Sequence, residues 1–491
     1  MEDFKGRFGQ GRVISGLAQQ HADRLSSQQT QVMQLTRKPG HHICPDFGLD
    51  TRLLTQNRRL RRIFTKPGPE HPLGIDHDRF DRPKRVVQVE ADGANLVGRK
   101  HEWYRVGQAR GEYRMPFLKT PFRPEPPHQH GQPDANQPRT AILWCNLGTP
   151  AEPTAQALRP YLAEFLSDHR VIEIPMLVWK LILHGIILRT RPAKSAAKYA
   201  SIWTPEGSPL RVWTEKQAKL LQGWLGERGH RVTVRYAMRY GQPAIASQLD
   251  QLKAEGIERV LILPAYPQYS GTSTASVMDA IYTWGQQIRH LPELRFVNQY
   301  HDDAAYIDAL ANSVQKHWRE NGKLDADPQK ARLVMSFHGV PERTLLLGDP
   351  YHCQCLKTAR LLREKLGLSE AQVNVSFQSR LGRAKWLEPY TEPTLIALGQ
   401  QGVQRVDMVC PGFTSDCLET LEEIVQEGQH AYKAAGGKQF TYVPCLNDNP
   451  DWIAALGQLA QRHLSGWDTS ASDADSLKAT CTRALAAGAK R

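Results

Sequence analysis

Eight cysteines in 491 residues, at positions 44, 145, 353, 355, 410, 417, 445 and 481, are too few and too scattered for a disulfide framework. A reducing cytoplasm suits them. The first twenty residues lack an apolar core of signal-peptide kind, and the longest apolar run, from Ile174 to Leu188, is too short to span a bilayer and contains Lys180 and His184. Neither a G-x-G-x-x-G fingerprint nor a P-loop is present, which argues against a nucleotide-dependent enzyme. The formal charge of +13 does not point to nucleic acid either, because about nine of those charges lie before residue 140 and the rest of the chain is nearly balanced.

What remains is a large soluble α/β protein with attachments. Residues 1–114 show no sustained period of 2 or 3.6 and no assignable core; residues 115–138 are a Pro-rich lead-in. From Thr140 the character changes. Apolar runs that read as strands ("TAILWCNLG", "RVTVRYAM", "RVLILPAYP", "LRFVNQY", "RLVMSFH", "VNVSFQS", "RVDMVCPGF", "FTYVPCL") alternate with amphipathic helical patterns. That alternation predicts two Rossmann-like lobes, 139–322 and 330–464, each a parallel sheet flanked by helices, with a cleft between them. Residues 465–491 read as a mobile tail.

In open α/β sheets ligands bind beyond the carboxyl ends of the strands, and His338 ends one of the runs there. A satisfied core histidine is the competing reading. In "PGFTSDCLETLEEIVQEG" a strand turns into a helix capped by Ser415 or Asp416, and Glu419, Glu423 and Glu427 follow at steps of four. Such a ridge is ordinarily a solvated face. It drifts on an α-helix, and a π-type turn would bring it nearer to one line. At a cleft it could hand a hydrated divalent cation inward, since hard oxygen ligands exchange without stripping all the water. Arg189, Arg191, Arg239 and Tyr240 flank apolar elements, where guanidinium forks suit carboxylates.

Eight motifs, "NLGTP" at Asn146, "GSPL" at Gly207, "MRYGQP" at Met238, "PAYPQYSGTST" at Pro264, "SFHGVP" at Ser336, "GDPY" at Gly348, "FQSRLGRAKWLEP" at Phe377 and "PGFTSDCLETLEE" at Pro411, together resemble the ferrochelatase family in order and spacing. The resemblance covers about residues 140–464. It implies a chelatase-type fold and a lyase that inserts Fe2+ into protoporphyrin IX, the last step of protoheme synthesis. By the same resemblance His338 is the active-site base, with Glu419 opposite it in proton removal or iron holding. Asp416, Glu423 and Glu427 extend a metal or proton path. Trp386 packs near the macrocycle, while Arg191, Tyr199, Ser208, Arg239 and Tyr240 contact propionates or the ring rim.

Fe2+ is then a substrate, and no cofactor is expected. Where relatives with a [2Fe-2S] cluster have a cysteine in the "PQYS" loop, this chain has Gly271, and its tail has Cys481 alone. Cys353 and Cys355 without a second pair do not make a four-cysteine site. Cys417 replaces a histidine of some relatives, and Leu147 stands where coproporphyrin-type members tend to have Tyr, favouring protoporphyrin IX. The competing readings are a coproporphyrin III, cobalt or sirohydrochlorin chelatase, a tetrapyrrole carrier, and a thiol hydrolase using His338 with Cys410 or Cys417. The apolar run 174–188 would form a lip for peripheral contact with the inner membrane by an otherwise cytoplasmic enzyme. Residues 1–114 are expected to be dispensable, the segment from Met115 resembling the usual start of bacterial relatives. The rival for them is a basic arm that docks on anionic lipid or a partner enzyme.

Overall fold

The computed structural model describes residues 122–123, 138–380, 382, 384–470 and 473–489. The readings made for residues 1–114, and for most of the Pro-rich lead-in, lie outside them.

All eight predicted strands form, as two parallel four-stranded sheets. The first contains β1 (Thr140–Thr149), β2 (Thr233–Gly241), β3 (Arg259–Pro264) and β4 (Glu293–Phe296) in the order β2-β1-β3-β4. The second repeats that order as β6-β5-β7-β8, with β5 (Ala331–His338), β6 (Val373–Gln378), β7 (Arg405–Val409) and β8 (Gln439–Tyr442). Helices cover both faces, so the central strands are buried on both sides; hence β1, β3, β5 and β7 are nearly continuous apolar runs rather than alternating ones.

The lobes are interlocked. The last helix of the second lobe, Pro450–Leu464, returns to pack on helices Pro209–Gly226 and Ala304–Asn321, and Trp452 lies against Trp144 of β1 at 6.3 Å between ring centroids. One buried cluster therefore contains Ile142 and Leu263 of the first sheet together with Leu333, Met335 and Phe337 of the second. A shared core of this kind holds the two sheet edges at a set spacing, as a flexible linker would not.

Two helical segments stand out by their exposure. The tail carries a helix, Ala474–Ala486, none of whose residues is buried. The apolar run 174–188 is helical through Met176–Ile182 and a π-helical stretch Leu183–Ile187, but only Trp179, Leu183 and Leu188 face inward. Leu177 and Leu181 are 84% and 77% exposed, which rules out a buried helix there.

Candidate active site

In each sheet the first strand lies between the second and the third, so the chain reverses direction of winding at β1/β3 and at β5/β7. Crevices open at the carboxyl ends of strands at such points. His338 is the last residue of β5. A π-helix, Glu419–Gly428, follows β7, and a shorter one, Gly271–Ala275, follows β3 at the corresponding place in the first lobe. Wider winding than 3.6 residues per turn reduces the drift of residues four apart, and π-turns concentrate where side chains must be aimed.

The His338 ring is oriented by its own neighbour: Nδ1 lies 2.6 Å from the carbonyl oxygen of Gly339. A carbonyl only accepts, so in the neutral ring Nδ1 bears the hydrogen and the Nε2 lone pair is left free as a base. Gly339 is required for a close approach. A Cβ there would lie 2.8 Å from the Gln378 carbonyl oxygen, 2.9 Å from that of Ser379 and 3.3 Å from the Trp386 ring. Trp386 thus packs against Gly339, next in sequence to the histidine, in a loop bridged to Pro341 and tied by Leu387 N–H donating to Val340 O at 3.0 Å.

Glu419 and Glu423 complete the second-lobe side. Gln378, paired with His338 across β5/β6, donates its amide to the Glu419 carbonyl at 2.6 Å. The Glu423 carboxylate accepts from Ser379 N–H at 2.8 Å and from its hydroxyl at 2.6 Å, with Ser379 held at a φ of 62°. Burial pushes the Glu423 carboxyl above the usual range; the Ser379 hydrogen bonds, and His338 when it carries a proton, oppose this, while Glu419 adds to it. From the first lobe, Tyr161 and Tyr199 face the same carboxylate. Burial raises both phenols, and the negative charge of Glu419 raises them further.

The other predicted acids are engaged elsewhere. Asp416 is buried and accepts from Asn447 Nδ2 at 2.6 Å, the Tyr442 hydroxyl at 2.7 Å and the Thr420 hydroxyl at 3.1 Å, which occupies both of its oxygens. Glu427 leaves the ridge for the surface, where Lys198 of the first lobe donates to it at 2.8 Å and to Glu422 at 3.0 Å. Among the described residues no group of three or more His, Cys, Asp and Glu side chains is arranged to hold a metal ion.

The residues expected around the porphyrin divide into two sets. Tyr199 is buried edge-on to Trp203, and Arg191 is half-buried. Loss of solvation lowers the Arg191 pKa, and no carboxylate among the described residues pairs with it. Arg239 and Tyr240, by contrast, are turned to a buried acid that the motifs did not single out. Asp168 accepts from Arg239 Nη2 at 2.7 Å, from the Tyr240 hydroxyl at 2.8 Å and from the Ser276 hydroxyl. Ser208 is likewise buried, accepting from the Thr149 hydroxyl at 2.8 Å.

Burial alone would raise the Asp168 carboxyl, but hydrogen bonds from Ser276, the Arg170 backbone and Tyr240, with the Arg239 charge, outweigh it and hold the group below its usual range. A depressed folded pKa contributes stability that is complete above the unfolded value and is lost as pH falls through the folded one. Asp168→Asn should therefore destabilise the fold by about 3 kcal/mol near pH 7, by stranding Arg239. Urea melts of parent and variant should converge toward about pH 3. An equal gap at both pH values would show that the charge of Asp168 is not what matters.

The fold, two parallel four-stranded α/β lobes that repeat one strand order, is that of the metal chelatases. The ferrochelatase family model matches residues 139–464. The ferrochelatase of Polaromonas sp. is 66% identical over 75% of this chain and 100% of its own length. That of Methylibium petroleiphilum is 65% identical over 75% of this chain and 99% of its own, and that of Janthinobacterium sp. 59% identical over 71% and 92%. The chain belongs to the ferrochelatase family.

Proposed function

We propose that this chain inserts Fe2+ into protoporphyrin IX to give protoheme, with His338 as base and Glu419 as the carboxylate opposite it in the interlobe cleft. Membership of the family makes it a metal chelatase, a lyase of heme biosynthesis. Metal insertion releases two pyrrole protons for each Fe2+ taken up, so the site must offer two acceptors. His338 Nε2 takes the first, and Glu419 the second, with Glu423 next to it as the relay to solvent. The observation that carries the reading is the single hydrogen bond that commits Nδ1 of His338 to Gly339 and leaves Nε2 uncommitted at the end of β5.

The unpaired guanidinium of Arg191 suits a propionate of the substrate, and Tyr199 and Trp386 supply flat surfaces for its ring. Leu147, packed against the first-lobe cluster with Tyr199 and Tyr240, supports protoporphyrin IX over coproporphyrin III. The internal pairing of Arg239 and Tyr240 with Asp168 fits them to shape the pocket wall rather than to bind propionates. Thiol hydrolysis is disfavoured, because burial raises the Cys410 and Cys417 thiols well above their ordinary value and removes the thiolate such a reaction needs.

The test is spectroscopic. Protoporphyrin IX incubated anaerobically with the protein and Fe2+ should give the protoheme spectrum catalytically, and coproporphyrin III should turn over much more slowly. Stoichiometric binding without turnover would identify a carrier instead. Before substrate is added the protein should show no iron–sulfur absorption; stoichiometric acid-labile sulfide would return Cys353 and Cys355 to consideration.

Peripheral membrane contact has support in one feature. Ile174, Leu177, Val178, Leu181 and Ile186 are exposed on the first lobe, Leu346 and Leu347 on the second, and an Arg343–Glu173 ion pair joins the two segments. Among the described residues no helix is long and apolar enough to cross a membrane. An apolar lip of this kind fits the uptake of a substrate that partitions into lipid. The protein should cosediment with liposomes, and Leu177→Asp with Leu181→Asp should abolish this; cosedimentation unchanged by that pair of substitutions would remove the lip from the proposal.

A further inference from the structure

The peptide unit between His338 and Gly339 is held at both ends. Its N–H donates to the Gln378 carbonyl at 2.6 Å, within the second sheet. Its C=O accepts from the hydroxyl of Tyr351 at 2.9 Å. Tyr351 is buried at the start of helix Tyr351–Leu366, and its own N–H donates to Asp349 Oδ1 at 3.0 Å. The other oxygen of Asp349 reaches the opposite lobe, accepting from Gly271 N–H at 2.7 Å and from the Ser270 hydroxyl at 3.3 Å. Those two residues open the helical segment that follows β3, where a carboxylate is favoured by the exposed N–H groups.

We propose that Asp349 and Tyr351 are positioning residues for His338: a hydrogen-bonded brace that runs from the first-lobe turn Ser270–Gly271 to the peptide plane carrying the base. The proposal rests on the reading of His338 as base. Fixing that plane sets where the next carbonyl, Gly339 O, lies, and so which nitrogen of the ring holds the hydrogen. Two further cross-lobe bonds run parallel to the brace, Tyr269 N–H to Gln354 Oε1 at 2.7 Å and Gln268 Nε2 to the Thr358 hydroxyl at 3.0 Å. They tie the lobes together without touching His338, so the loss of Tyr351's hydroxyl should loosen the base and leave the lobes joined.

Tyr351→Phe removes one O–H from the brace and keeps the buried ring. In steady-state insertion of Fe2+ into protoporphyrin IX, kcat should fall about tenfold while KM for the porphyrin stays within about twofold. In 15N spectra of histidine-labelled protein, the His338 signals should move from the Nδ1–H tautomer toward a mixture of tautomers. Asp349→Asn keeps volume and acts at the other end; it should lower kcat in the same sense, and the double variant should be no slower than Tyr351→Phe, as for residues acting in one chain. If Tyr351→Phe does not fold, Asp349→Asn decides alone. A kcat within about twofold of the parent, or a loss matched by a rise in KM, overturns the brace. His338→Ala separates the two readings: if it is inactive and Tyr351→Phe is normal, only the brace falls, whereas turnover by His338→Ala removes the base assignment and the brace with it.

Discussion

His338→Ala should abolish insertion of Fe2+ into protoporphyrin IX while leaving porphyrin binding within about tenfold of the parent. The imidazole sits at the end of β5 with Nδ1 committed to Gly339, so its substitution removes the free Nε2 lone pair and little else. On the proposed reading porphyrin affinity would come from other groups, Trp386 beside Gly339 and Arg191, with which no carboxylate among the described residues pairs. A general base is typically worth about 10²- to 10⁴-fold in rate, so turnover in the variant should sit at or below about a hundredth of the parent's. Quenching of protein fluorescence by protoporphyrin gives the binding half of the test and heme absorbance the kinetic half. More than about a tenth of parental turnover would sink the assignment of His338. Loss of porphyrin binding in step with turnover would make the residue a substrate contact.

The central strands β1, β3, β5 and β7 were legible because a parallel strand covered on both faces must be apolar almost throughout, and the four mixed runs beside them form the flanking strands. The ends of β5 and β7 were legible from the Gly-Val-Pro and Pro-Gly turns that follow them, whereas the runs read to Pro267, Tyr300 and Leu446 overshoot β3, β4 and β8. Spacing also exposed the acidic ridge, and the π-helix Glu419–Gly428 provides the wider winding that spacing called for. What spacing did not disclose is where each side chain is spent. Arg239 meets Asp168 across 71 residues and Ser276 meets Asp168 across 108, while Lys198 meets Glu427 across 229. Pairings at that separation exist only once the lobes have folded, and nothing local marks them. Asp168 in "LSDHR" reads as one more surface acid, and Tyr351 and Asp349 read as turn and capping residues in "GDPY". The apolar run 174–188 reads as a lip, and Leu177 and Leu181 are exposed as that reading requires, although periodicity alone does not separate a lip from a buried helix.

Glu419→Gln should reduce metal insertion about 10²-fold or more, whereas Glu427→Gln should stay within about threefold of the parent. The substitution at Glu419 keeps shape and hydrogen-bonding reach but leaves an amide, which neither accepts a pyrrole proton nor attracts a divalent cation. Its surroundings offer no direct substitute, for Tyr161 and Tyr199 are phenols whose ionisation burial makes still harder, and Glu423 serves in this reading only to take the proton on from Glu419. Removing the Glu419 charge also takes away one contribution that raises Glu423, so the Glu423 carboxyl should titrate at lower pH in the variant. Glu427 is a different case. It lies on the surface in an ion pair with Lys198, and Glu422 remains to hold that ammonium when Glu427 is neutral. Steady-state kinetics with Fe2+ as the varied substrate distinguish the two positions: kcat falls for Glu419→Gln, and for Glu427→Gln at most the KM for metal changes. Equal and small effects at both positions would show that the ridge is a solvated face and that the second proton leaves by another route.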